Sequence, residues 1–137
     1  MVFTPDELEY LRSQRLGRLA TLAPEGTLQN SPVSHTVDEA TGVISIYGYH
    51  LGDTRKFRNV AANGQVAYVV DDIASLDPWS VRGVEIRGTA QALRDITAPA
   101  PHLSPEVIRI HPHRIISWNL GADGAHSSRR TVTPAAQ

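Results

Sequence analysis

The sequence predicts a small, mainly β, antiparallel barrel with two short helices. Three observations carry this. Short apolar-alternating runs recur along the chain. Hairpin-length turn signals separate them, and long helical patterns do not alternate with strands as a parallel sheet requires. About six or seven strands of this kind leave edges that barrel closure would remove.

The first element is a helix over residues 5–14. Thr4-Pro5-Asp6-Glu7 is a capping box with proline at the first helical position. Phe3 and Leu8 stand where a hydrophobic staple would put them, and Leu8 and Leu11 begin an apolar stripe. Strands follow at Leu16–Ala23, Leu28–Val37 and Gly42–Gly48, joined by turns at Pro24–Thr27 and Asp38–Gly42. Pro32 cannot donate to a central ladder, so the second strand needs an edge, a bulge or a ligand near Ser31-Pro32-Val33.

A second helix opens after the third strand. Thr54 is its expected N-cap and Gly64 lies beyond its end. Gln65–Val70 reads as a central strand and Asp71–Trp79 as an acidic loop. Val81–Leu93 is a long strand with Val84, Ile86, Gly88, Ala90 and Ala92 on one face. A proline-rich loop is expected over Ile96–Pro105. Two strand pieces, 107–110 and 114–118, are separated by His111-Pro112-His113, read as a turn with two partly exposed rings. Residues 1–120 make the expected domain, and 121–137 read as a mobile tail poor in apolar residues.

Composition limits the function classes. The chain has 137 residues, enough for one domain with its own core. Thirteen basic against fourteen acidic residues give a net charge of −1, which argues against a general nucleic-acid binder. No cysteine is present, which removes disulfides, thiolate catalysis and cysteine-bound zinc. The N-terminus has no signal-peptide pattern, and no apolar run approaches the ~18 residues of a membrane span. A soluble cytoplasmic domain is expected.

Lys56 is the sole lysine, set in Thr54-Arg55-Lys56-Phe57-Arg58. Cations at a helix start have the wrong sign for its dipole, at roughly 0.3–1 kcal/mol each when exposed. A bound phosphate would reverse that cost by taking the free N–H groups and the cationic side chains together. A solvated helix with snorkelling arginines explains the segment about as well. Ser31, Pro32 and Val33 would offer a hydroxyl, small bulk and backbone to a flat ring. Tyr47, Gly48, Tyr49 and His50 precede the helix where a head group would lie, and Gly48 and Gly52 permit close backbone approach. Ordinary strand packing suits at least one of the two tyrosines. His111 and His113 make a poor metal site, since Pro112 interrupts them and no carboxylate has ligand spacing. Trp79 and Trp118 are core or interface anchors. No nucleophile elbow, zincin helix, P-loop or dinucleotide fingerprint occurs, so any chemistry belongs to a bound cofactor.

Several blocks together resemble one family: Leu16-Gly17-Arg18-Leu19-Ala20-Thr21, Ser31-Pro32-Val33, Thr54 to Val60, Asp77-Pro78-Trp79, Arg82 to Gly88 and Ile110-His111-Pro112. The chain resembles the pyridoxamine 5'-phosphate oxidase-like flavoproteins over residues 2–120, and within them the branch that uses the deazaflavin F420. The resemblance implies an FMN-binding split β-barrel and a homodimer with cofactor sites at its interface. It implies that Arg55 and Lys56, with Thr54 and Arg58, bind the phosphate-bearing tail, that Ser31, Pro32 and Val33 lie along the ring, and that Trp79 or Trp118 closes the site from the other subunit. Tyr47 joins this cofactor set by its place at the strand end. The implied reaction passes a hydride from reduced F420 to a conjugated small-molecule substrate. FMN-dependent oxidase chemistry and non-catalytic storage of a flavin, deazaflavin or haem remain as alternatives. No catalytic residue follows; Tyr47, His35 and His50 are the candidate proton donors.

Overall fold

A computed structural model describes residues 1–133; residues 134–137 lie outside the described part. Helix α1 (Pro5–Ser13) leads into strands β1 (Gly17–Leu22), β2 (Leu28–Val33), β3 (Thr36–Val37) and β4 (Ile44–Ile46). A turn of 3₁₀ helix (Leu51–Asp53) precedes helix α2 (Arg55–Ala62). Strands β5 (Gln65–Leu76), β6 (Trp79–Arg94), β7 (Glu106–Leu120) and β8 (His126–Thr131) complete the described chain. All eight strands form one antiparallel sheet in the order β2-β1-β5-β6-β7-β4-β3, with β8 also on β7.

The expected mainly β split-barrel class is correct, with three corrections. The sheet curls without closing: β2 and β3 are its ends and do not pair. Pro32 therefore sits on an edge strand, opposite Arg18, where its missing N–H leaves no central ladder unsatisfied. The Asp71–Trp79 segment is no loop, because β5 and β6 continue as a paired arm to Leu76 and Trp79. His111-Pro112-His113 does not break β7. Arg87 pairs with Arg114 and Gly88 with Pro112, leaving His113 as the extra residue of a bulge. The bulge accommodates proline inside a long strand; His111 is buried and His113 exposed.

The core lies inside the curl. Val84, Ile86 and Ala90 of β6 face Ile108, Ile110 and Ile115 of β7, Tyr68 and Val70 of β5, and Phe57 of α2. The alternation read in β6 is thus its burial pattern. Gly17 is required beside this core, since a Cβ there would lie 2.3 Å from the Tyr68 ring. The Tyr68 hydroxyl donates to His35 Nδ1 at 2.5 Å, and His35 Nε2 donates to Leu11 O at 2.8 Å. Those two bonds fix the neutral imidazole, and burial holds its pKa below the ordinary value.

The expected mobile tail, 121–137, contains strand β8 at His126–Thr131, and its last residues, 134–137, lie outside the described part. Strand β8 pairs with β7, so the sheet extends past residue 120. Its Arg130 donates to both carboxylate oxygens of Glu7, at 2.6 and 2.9 Å, and to Val2 O at 2.7 Å. Glu7 is only 1 % exposed and also accepts from Ser117 Oγ at 2.7 Å and Thr4 N–H at 2.9 Å. The capping-box glutamate is therefore a hub joining both ends of the chain to the sheet.

These groups set the acid limit of stability. Burial alone would raise the Glu7 pKa, but the bonds from Arg130, Ser117 and Thr4 outweigh it and hold it below 4.5. Its stabilisation is complete above the unfolded value and is lost as pH falls through the folded one. His35 acts earlier: its unfolded form gains a proton near 6.5 and its folded form resists it, so stability falls below that pH. Urea midpoints measured from pH 7 to 3 should decline in two stages, and His35→Gln should shrink the upper one, leaving the share of His111, whose pKa burial also lowers.

Candidate functional site

The start of α2 is built locally. Thr54 Oγ1 accepts from Phe57 N–H at 3.3 Å and donates to Leu51 O at 2.6 Å, joining the 3₁₀ turn to the helix. The expected N-cap is correct. Capping by one side chain leaves first-turn N–H groups without intrahelical partners. Lys56 projects from this turn half-buried; burial lowers its pKa, and it makes no salt bridge among the described residues. A desolvated cation without a counter-charge is costly unless an anion completes it.

A groove of about 360 Å³ opens beside it. Leu16 and Pro32-Val33-Ser34 at the end of β2 contribute to it, as do Tyr47 to Leu51, Thr54 and Lys56. The geometry therefore unites five of the ten cofactor-binding residues expected from sequence, Pro32, Val33, Tyr47, Thr54 and Lys56, with Gly48, Tyr49 and His50 beside them. The donor set fits an anionic arm at the helix end and a flat, partly apolar body along β2. A larger cleft of about 530 Å³ lies beside α1, but its lining includes Asp6 and Glu9, which would repel an anion.

The other expected residues lie outside this groove. Ser31 pairs with Leu19, and its Oγ is buried without a partner. Arg55 is exposed, and adds to the effect of the Glu25 backbone and Thr27 in lowering the Glu25 pKa. Arg58 donates to Asp53 O at 2.7 Å and so supports the 3₁₀ turn. Trp79 starts β6 at the tip of the β5–β6 arm and is 65 % exposed. Trp118 packs over Gly83, where a Cβ would be 2.6 Å from its ring.

Two sequence readings of this region change. Gly52 is not kept small for a ligand: a Cβ there would meet Arg94 at 2.7 Å and the Glu106 carboxyl at 3.0 Å. Glu106 accepts from Gly52 N–H at 2.9 Å, which anchors the 3₁₀ turn to β7. His35, with both ring nitrogens engaged, has no free proton to give a ligand. Tyr47 and His50 remain on the groove. Leu16, Ser34 and Leu51 were missed from sequence, because each becomes a lining residue only through the meeting of β2 with the β4–α2 connection.

The family model described as pyridoxamine 5'-phosphate oxidase matches residues 3–119. The chain belongs to this family. A 5a,11a-dehydrotetracycline/5a,11a-dehydrooxytetracycline reductase of Streptomyces rimosus is 50 % identical over 131 residues, 93 % of this chain and 92 % of the relative. Among solved structures, one named F420 reductase matches with TM-score 0.61 and 24 % identity, over 82 % of this chain and 98 % of that one. A heme binding protein of Mycobacterium smegmatis matches with TM-score 0.61 and 17 % identity, over 95 % of this chain and 60 % of that one. Both structures support the fold alone. The Streptomyces relative supports oxidoreductase chemistry for this member of the pyridoxamine 5'-phosphate oxidase family. No helix among the described residues is long and apolar enough to cross a membrane.

Proposed function

We propose that this protein is an F420-dependent reductase acting on a conjugated, electron-poor small molecule. The observation that carries the reading is the half-buried Lys56, without a salt bridge among the described residues, at the capped start of α2, opening onto a groove with a flat β2 wall. Identity of 50 % to a reductase of dehydrotetracyclines supports the substrate class. F420, when bound, supplies a hydride from its reduced ring. The chain's own residues do the rest. Lys56 and the first-turn N–H groups hold the phosphate-bearing arm. Pro32 and Val33 lie against the ring and keep water from one face. Tyr47 or His50 is positioned to give a proton to the reduced product.

The working unit is proposed to be a homodimer with the cofactor grooves at its interface. Support comes from the outer sheet face, where Ala20, Leu22 and Ala67 adjoin Leu28, itself 79 % exposed, and from Ile73, Leu76 and Trp79 exposed on the β5–β6 arm. Large apolar side chains exposed together on a sheet face or an arm are the kind of surface that a partner covers. Sedimentation of the wild type against Leu28→Arg tests this part; a wild-type monomer would remove it.

A second reading, a carrier that holds a flavin, deazaflavin or haem without turnover, gains weight from the engagement of His35. Side-by-side titration with F420, FMN and haem separates the cofactors, and absorbance of the purified protein reveals a resident flavin. Single-turnover mixing of reduced F420 with conjugated enones then decides function. Oxidation of the cofactor is expected; tight F420 binding with no oxidation by any enone would favour the carrier.

A further inference from the structure

The loop between β6 and β7 is held against the groove by one serine. Ser104 N–H donates to Gly48 O at 2.9 Å, and Ser104 Oγ donates to the same oxygen at 3.1 Å while accepting from Leu51 N–H at 3.0 Å. The loop also closes on itself through Ile96 N–H to Pro105 O and Leu103 N–H to Ala100 O. This clasp sets His102 beside Tyr49, with ring centroids 5.7 Å apart and planes tilted by 50°. Both rings are exposed, Tyr49 by 69 %, and Tyr49 belongs to the groove's lining. Large aromatic surface left in water at a binding mouth, on a segment braced by three hydrogen bonds, is a preorganised contact surface.

We infer that Tyr49 and His102 form a stacking rim that selects planar, fused-ring phenolic or enolic substrates. The inference rests on the cofactor reading above. A cofactor ring and arm seated in this groove of about 360 Å³ would leave a substrate to lie over the ring and outward toward the mouth. A single-ring compound stays over the cofactor and does not reach the rim. A fused system extends outward, stacks on Tyr49, and meets the His102 imidazole with a phenol or enol oxygen. His102 lies outside the groove's lining and Tyr49 is its exposed edge, so both are assigned to specificity.

The test is equilibrium binding of dihydroxyanthraquinone, followed by its visible absorbance, to the F420-loaded protein. Tyr49→Ala and His102→Ala should each weaken it by about two- to tenfold, the range of one aromatic contact, with the Kd for F420 unchanged in His102→Ala. Ser104→Ala, which removes the two hydroxyl bonds of the clasp and keeps the backbone one, should weaken it in the same direction. Cyclohexenone, as a single-ring competitor, should bind all forms alike. Unchanged dihydroxyanthraquinone affinity in Tyr49→Ala and His102→Ala, or no binding to the wild type, would overturn the rim. Failure of F420 itself to bind would instead sink the cofactor reading, and the same titration of the cofactor-free protein would still decide the rim.

Discussion

Lys56→Ala should weaken F420 binding by about ten- to a hundredfold, the loss of one charge-assisted contact of roughly 1.5–3 kcal/mol. The fold should be unaffected, because a half-buried cation with no salt bridge among the described residues leaves no group there unsatisfied when removed. Thermal stability of the free protein should stay level or rise slightly. Arg55→Ala is the contrast. Sequence ranks the two cations together; the geometry separates them, since Arg55 is exposed and outside the groove's lining. Its removal should cost only a few-fold, through long-range attraction that salt screens. Alkaline pH should mimic the Lys56 substitution. Burial lowers the lysine pKa from 10.5, so its charge is lost at a lower pH than usual and affinity declines as pH rises through that value. Isothermal titration of the three proteins at two pH values checks all of this.

Arg130→Ala should be the most destabilising surface-reachable substitution in the described chain, at about 3 kcal/mol. The Glu7 carboxylate, 1 % exposed, would keep only Ser117 and the Thr4 N–H as partners. A buried charge deprived of its counter-ion costs far more than an exposed pair gains. For a chain of this length the midpoint should fall by roughly 10 °C. Glu7→Gln in the same background should restore part of the loss, because it removes the unpaired charge and keeps the shape. Calorimetry of the single and double variants measures the coupling directly. Equal midpoints for Arg130→Ala and wild type would mean that the Glu7–Arg130 pair adds nothing to the fold.

Why β8 escaped sequence reading is physical. His126–Thr131 buries little, so it has no hydrophobic period to detect. What holds it is a strand ladder and two ion pairs, Arg130 to Glu7 and His126 to Asp6, with partners 123 and 120 positions away, and none of these leaves a local pattern. Helix α1, by contrast, is announced by Thr4-Pro5-Asp6-Glu7, because capping is a contact between residues three apart. The core strands were legible for a similar reason: Val84, Ile86 and Ala90 record their burial by alternation. The barrel's failure to close was not, since pairing between β2 and β3 depends on how far the whole sheet curls.

The candidate site divides the same way. Thr54 and Lys56 could be found because a cap and a wrong-sign charge are local anomalies. Which of Arg55, Lys56 and Arg58 enters the groove depends on helix phase against β2 and the β4–α2 connection, which no spacing encodes. Gly52 misled, since close approach by Glu106 and Arg94 imposes the same demand on a glycine as a ligand would.

The account turns on an anion held by Lys56 in the groove between β2 and α2. A crystal structure of the protein soaked with F420 tests it most directly. A phosphate oxygen should lie within hydrogen-bond distance of Lys56 Nζ, about 2.7–3.2 Å, with the deazaflavin ring beside Pro32 and Val33. F420 found elsewhere, for instance in the cleft bordered by Asp6 and Arg82, with Lys56 left in solvent, would contradict it.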